Sequence, residues 1–145
     1  MTERFDVAAA PGHLIRRAQQ IAVAIFAERL AAYDITPVQF AILNALHDTP
    51  DIDQITLAKR VAFDPATSGS VIARLEAKGW VARQAHATDR RRKLLVVTPE
   101  GAQALANMQS AVAAVQTNIL TPLSADERKL FVGLLGKLVA GHEAR

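Results

Sequence analysis

The residues of this chain best equipped for chemistry are Asp89-Arg90-Arg91-Arg92, and the chemistry they suit is anion binding. Three adjacent guanidinium groups repel one another, a cost that makes sense when a polyanion is the usual partner. Arginine on a protruding loop suits the focused negative potential of a narrow minor groove. Asp89 is expected to pair with one of these arginines and hold the run in shape. Upstream, Thr67, Ser68, Ser70 and Arg74 supply hydroxyls and a guanidinium able to reach base edges or phosphates in a major groove. His13, Arg16, Arg17 and Gln20 form a third set, spaced so that a helix would gather them into one cationic stripe. The bland readings are a solvated basic turn, a lightly charged surface helix and a solubilising stripe.

The elements that must position these residues favour the first readings. Asp64 is a good N-cap, and Pro65, lacking an N–H, suits the first helical position, so a helix starts there. Within it Ser68, Val71, Ile72, Leu75 and Gly79 fall on one side, leaving Ala66, Thr67, Ser70, Ala73, Arg74 and Ala77 outward. Ser68 belongs to the inward row by spacing and to the groove-reaching hydroxyls by chemistry. Gly79 ends the helix as a left-handed cap, Trp80 to Gln84 alternates as a half-buried strand, and the β-branched run Lys93 to Val97 is its return. Ala87 to Arg92 is then the tip of a hairpin. Before this unit Thr36-Pro37 opens a helix with a wide apolar face from Val38 to Leu46, and Asp48-Thr49-Pro50-Asp51 makes a turn. Gln54 to Ala62 carries Ile55, Leu57, Ala58 and Val61 at helical spacing. Two helices joined by Ala62-Phe63-Asp64-Pro65 and followed by a hairpin spell a winged helix-turn-helix, in a chain that is mainly α with a small β part (α+β).

From Thr98-Pro99 a helix runs to about Ile119, with Leu105, Met108, Val112, Val115 and Ile119 in a narrow heptad-like seam. A last helix opens at Ser124 with Glu127 as a capping box and presents Leu130, Phe131, Leu134, Leu135, Leu138 and Val139. The first helix, Gly12 to Ala32, carries Leu14, Ile15, Ala18, Ile21, Ala22, Ile25 and Phe26 on its apolar side. These terminal helices are expected to pack on a second copy, since a helix-turn-helix commonly reads two half-sites roughly 34 Å apart; an intrachain helical hairpin in a monomer is the other arrangement. The expected organisation is a single domain over 1–145, with a winged lobe at 36–98 and a helical dimerisation lobe from 12–32 and 99–142.

Charge is distributed to match. Residues 59–93 hold nine Lys or Arg against three acids, a net +6, while the rest of the chain carries −3 of the total +3. A basic middle between acidic ends is the footprint of a molecule that meets phosphates on one face. The absence of cysteine excludes disulfides, thiolate metal sites and cysteine redox chemistry. No two of His13, His47, His86 and His142 have the close spacing of a helical zinc pair, and no phosphate-cradling glycine loop or nucleophile elbow is present. No metal, no cofactor and no catalysis are therefore expected. No apolar run approaches the ~20 residues that span a bilayer, and Met1-Thr2-Glu3-Arg4 does not open a signal peptide, so a cytoplasmic chain with no membrane partner is expected.

Ile35 to Leu46 (ITPVQFAILNAL), the helix pair from Ile55 to Gly79 with its RLEAKGWV ending, and above all Asp89 to Gly101 (DRRRKLLVVTPEG) resemble the MarR family of bacterial winged-helix transcription regulators. The resemblance covers about two thirds of the chain. Its specific part is the coupling of an acidic-basic tip to a Thr-Pro-Glu-Gly helix start. It implies a homodimer whose terminal helices pack together and whose two winged units sit on a pseudo-palindromic operator in double-stranded DNA. It also implies a small ligand that lowers DNA affinity, hence a ligand-responsive regulator and in the simplest case a repressor. In that family the effector site is enclosed by the first helix, the next one and the start of the long fifth helix. Arg16 or Arg17 with His13 would there clamp a carboxylate, and Phe40, Asn44 or His47 would lie against the rest of a small aromatic or phenolic acid. Lack of cysteine removes the peroxide-sensing branch. Open beside this stand a winged-helix protein-interaction module, a constitutive DNA binder with no effector, and a small dimeric enzyme with an arginine-lined pocket. Steeply salt-dependent duplex binding separates DNA binders from the module, and turnover without DNA affinity would mark the enzyme.

Overall fold

The computed structural model describes residues 3–61, 65–89 and 91–144. After a 3-10 turn at Val7–Ala9 come α1 (Pro11–Arg29), a second 3-10 turn at Ala31–Tyr33, α2 (Pro37–Asp48), β1 (Ile52–Asp53), α3 (Gln54–Arg60) and α4 (Pro65–Ala77). β2 (Val81–Ala85), β3 (Lys93–Val97), α5 (Pro99–Ile119) and α6 (Ala125–Glu143) complete the chain. The expected Ala62-Phe63-Asp64 connection, with its Asp64 cap, and Arg90 lie outside the described residues. The helices, the hairpin and their order follow the sequence reading, a mainly α winged helix-turn-helix.

Local signals set most boundaries. The Thr36 hydroxyl accepts from the Gln39 N–H while the Gln39 side chain accepts from the Thr36 N–H, and Ser124 with Glu127 repeats the device at α6. Gly79 has φ +79°, the left-handed cap that ends the turn after α4. β1 was not expected: it is two residues long and pairs antiparallel with β3, Ile52 opposite Leu95, in a three-stranded sheet of order β1-β3-β2. β2 pairs with β3 from Val81↔Val97 to Ala85↔Lys93. This register turns Ile52, Val81 and Leu95 inward, where they are buried.

The chain divides into two compact units, Met1–Ile25 with Ala113–Arg145, and Phe26–Val112. The divisions fall inside α1 and α5, whereas the expected lobe limits fell near helix ends. In the Phe26–Val112 unit Leu30, Ile42, Leu43, Leu46, Leu57, Ile72, Leu75 and Leu95 are fully buried and form the core. The start of α5 is fixed to the corner between α4 and β2. The Thr98 hydroxyl donates to the Gly79 carbonyl (2.6 Å), the Thr98 N–H donates to the Trp80 carbonyl (3.0 Å), and the Gly101 N–H donates back to the Thr98 hydroxyl (3.0 Å).

One expectation about the helical ends needs correction. The α5 seam is not left for a partner: Leu105, Met108 and Val115 are buried, and Val112 and Ile119 half-buried, within one chain. By contrast, the apolar side of α1 is open at Leu14, Ile15 and Ile21, and α6 buries nothing. Among the described residues no helix is long and apolar enough to cross a membrane.

Candidate nucleic-acid interface

Helix α4 presents one face outward. Ala66, Thr67, Ser70, Ala73, Arg74 and Ala77 are all exposed, at spacings of one helical stripe, while Ile72 and Leu75 are buried beneath them. Ser68 is fully buried, so of its two expected roles only the inward one stands. It lies one turn before Ile72 on the row that faces the core, and its hydroxyl cannot reach a groove. Gly69 is small for a local reason: a Cβ there would come 2.9 Å from the Gln54 side-chain nitrogen, at the start of α3. Gln54 in turn accepts from Arg83 on β2 (3.3 Å), and Arg83 forms an ion pair with Glu76 of α4 (2.9 Å). This side-chain chain spans α3, α4 and β2, so the hairpin is tied to both helices at its base.

The hairpin tip holds its arginines in different ways. The Arg92 guanidinium turns back to Asp53, 2.7 Å away on β1. Asp53 also caps α3 by accepting from the Thr56 N–H at 2.8 Å. Held by the Thr56 backbone and side chain, and then by Arg92, its carboxyl is lowered to about 2. Among the described residues Asp89, expected to pair with an arginine side chain, accepts from the Arg91 backbone N–H (3.0 Å), and its carbonyl accepts from the Arg92 N–H (3.1 Å). These contacts shape the tip through the main chain, since a short carboxylate readily reaches the N–H two residues on. Arg91 is exposed. Lys78, after α4, donates to the Tyr33 carbonyl (3.4 Å) and to that of Asp34, and its ammonium lies 4.9 Å from the Trp80 ring centre.

The residues expected to hold a ligand fall in both units. On α1 Arg16 donates to Nδ1 of the half-buried His13 (3.0 Å), and Arg17 donates to Gln20, so the cationic stripe exists and is internally hydrogen-bonded. On α2 Phe40 is half-buried with its ring 6.4 Å from that of Phe26, Asn44 donates to Asp48 (3.4 Å), and His47 is exposed in the last turn. Asp53, Gln54, Glu76 and Arg83 were not singled out from sequence as parts of the site. The available signal at Asp53 was an N-cap residue directly before a helical run; the other three announce themselves only through contacts distant in sequence.

The MarR family model matches residues 35–93. The transcriptional regulator HosA of Escherichia coli O157:H7 is 36% identical over 106 residues, 73% of this chain and 78% of HosA. The HTH-type transcriptional repressor NicR of Pseudomonas putida is 32% identical over 139 residues, 96% of this chain and 88% of NicR. Among solved structures, that of Bordetella bronchiseptica BpsR superimposes with a TM-score of 0.88 at 32% identity, covering 94% of this chain and 98% of BpsR. The BpsR structure concerns regulation of its DNA binding by 6-hydroxynicotinic acid.

Proposed function

Because this chain belongs to the MarR family of transcriptional regulators, we propose that it binds a pseudo-palindromic DNA operator as a homodimer, represses from it, and is released by a small aromatic carboxylate. The observation that carries the DNA reading is the outward face of α4. Three alanines, two hydroxyl residues and Arg74 make up an exposed stripe with no acidic side chain on it. Such a face lets the backbone approach a groove floor while Thr67, Ser70 and Arg74 reach bases or phosphates. Arg91, with Arg90 beside it in sequence, is the wing contact of this reading, and Arg92 shapes the wing through Asp53. Repression is supported by the likeness to NicR, and a carboxylate ligand by the likeness to BpsR. On α1 the two guanidiniums of Arg16 and Arg17 with His13 suit a carboxylate. On α2 Phe40, Asn44 and His47 share one stripe of apolar and polar character that suits an aromatic ring with polar substituents.

One set of gel-shift titrations tests both arms. Arg91→Ala should weaken operator binding about tenfold and lower the salt slope by roughly one. Unchanged affinity and slope would remove the wing from the interface. With 6-hydroxynicotinic acid and related aromatic acids added, wild type should release the operator, and Arg16→Ala or Arg17→Ala should respond at least about tenfold more weakly. A full response in both variants would rule out the α1 stripe, and a wild type indifferent to every acid would leave a constitutive DNA binder.

A further inference from the structure

We infer that His86 is a positioning residue for the wing, its Nδ1 lone pair holding the tip in the form that presents Arg91; this rests on the reading of the wing as a DNA contact. The strands end at Ala85 and Lys93, so the described residues between them lie beyond the β2–β3 ladder that pairs N–H groups along the strands. The tip also contains neither glycine nor proline, the residues that ordinarily fix a tight turn. Side-chain acceptors take over that task. Nδ1 of His86 lies 3.0 Å from the Asp89 N–H and 3.2 Å from the Thr88 N–H, with the Thr88 hydroxyl at 3.3 Å. The His86 N–H meanwhile donates to the Arg92 carbonyl (3.2 Å) and closes the loop.

Two backbone N–H groups can converge on Nδ1 only if that nitrogen is bare, so Nδ1 is the acceptor and the ring proton belongs on Nε2. Asp89, fixed by this contact, then accepts from the Arg91 N–H and, through its carbonyl, from the Arg92 N–H. The acceptors run in relay, His86 ordering Thr88 and Asp89, and Asp89 ordering Arg91 and Arg92. Arg92 ends against Asp53 and Arg91 ends exposed. A tip ordered before it meets DNA loses less freedom on binding, which raises affinity without a new contact.

The test is an operator titration with wild type, Arg91→Ala, His86→Leu, His86→Asn and the double variant His86→Leu/Arg91→Ala. His86→Leu should weaken binding about fivefold to tenfold. His86→Asn, whose amide oxygen can accept from main-chain N–H groups ahead of it, should recover most of that loss. In the Arg91→Ala background the leucine substitution should change affinity less than about twofold, because the arginine it positions is gone. A loss of equal size in both backgrounds would mark general damage to the hairpin and overturn the positioning role. Full affinity in His86→Leu, with Arg91→Ala still impaired, would overturn His86 alone; an unimpaired Arg91→Ala would overturn the wing reading beneath it. Independently, the imidazole nitrogen NMR shifts of the full chain at neutral pH should show Nδ1 unprotonated, and a proton on Nδ1 would overturn the assignment whatever the affinities.

Discussion

Asp53 concentrates more structure on one carboxylate than any other described side chain of the interface: it caps α3, sits in the β1–β3 pairing opposite Leu94 and holds Arg92. Its pH behaviour follows from the lowered value of about 2 against an ordinary 3.8. A carboxyl depressed in the folded state contributes stability in full above its unfolded value, and that contribution is lost as pH falls through the folded value. Asp53→Asn keeps an oxygen to accept from the Thr56 N–H but gives up the charge. Its urea stability should fall below wild type by under about 1 kcal/mol at neutral pH, since both partners of the ion pair remain partly exposed. The gap should narrow below about pH 4, be mostly gone by about pH 2, where wild type has lost half the charge, and close below that. Asp53→Ala also removes the cap and should cost about 1 kcal/mol more. A gap that stays constant down to pH 2 would show that the charge is not what Asp53 contributes.

At the scale of elements, the reach of sequence reasoning tracks the range of the forces involved. Caps act over three or four residues, so Thr36 with Gln39, Ser124 with Glu127, and Gly79 are readable as helix ends without any fold. Period is nearly as local, and the outward row of α4 follows from spacing alone; at Ser68 spacing outweighs chemistry, and the hydroxyl goes inside. β1 has no period because two residues cannot show one, and it exists through β3, more than forty residues on. The α5 seam illustrates a different limit, since periodicity reveals an apolar face but not what covers it. The same holds for the joint between α5 and the α4–β2 corner. A Cβ on Gly101 would lie 2.2 Å from the Trp80 carbonyl oxygen, backbone against backbone, with no flexible side chain to yield. Gly101→Ala should therefore cost more than about 3 kcal/mol, above the usual range for overpacking. It should do so although alanine is the better helix former. A denaturation midpoint close to wild type would show that the joint can open, and that α5 is not fixed there.

For the whole molecule the decisive feature is apolar surface that one chain leaves uncovered. Along α6, Leu130, Phe131, Leu134, Leu135, Leu138 and Val139 are 40–63% exposed, and in the same unit Leu14, Ile15 and Ile21 of α1 are about half exposed. Apolar surface exposed in a row along one helix marks an interface. The α6 surface is also notched at Gly136 and Gly141, where a Cβ would meet open space. Notches beside leucines are what a facing helix fills with its own side chains. A second copy is the occupant that also fits the proposed operator, whose two half-sites need two readers held together. Sedimentation should then give twice the 15.6 kDa chain mass, and Leu134→Glu with Leu138→Glu should reduce it to the single mass. Each buried carboxylate introduced would have to be desolvated without a partner. The separated chains should bind an operator half-site with little change in the contacts of α4, yet bind the full operator at least about a hundredfold more weakly, because the second reader no longer arrives at high effective concentration. A wild type of single-chain mass that still binds the full operator tightly would show that the exposed face serves something other than dimerisation, and would leave the operator to be read by one wing at a time.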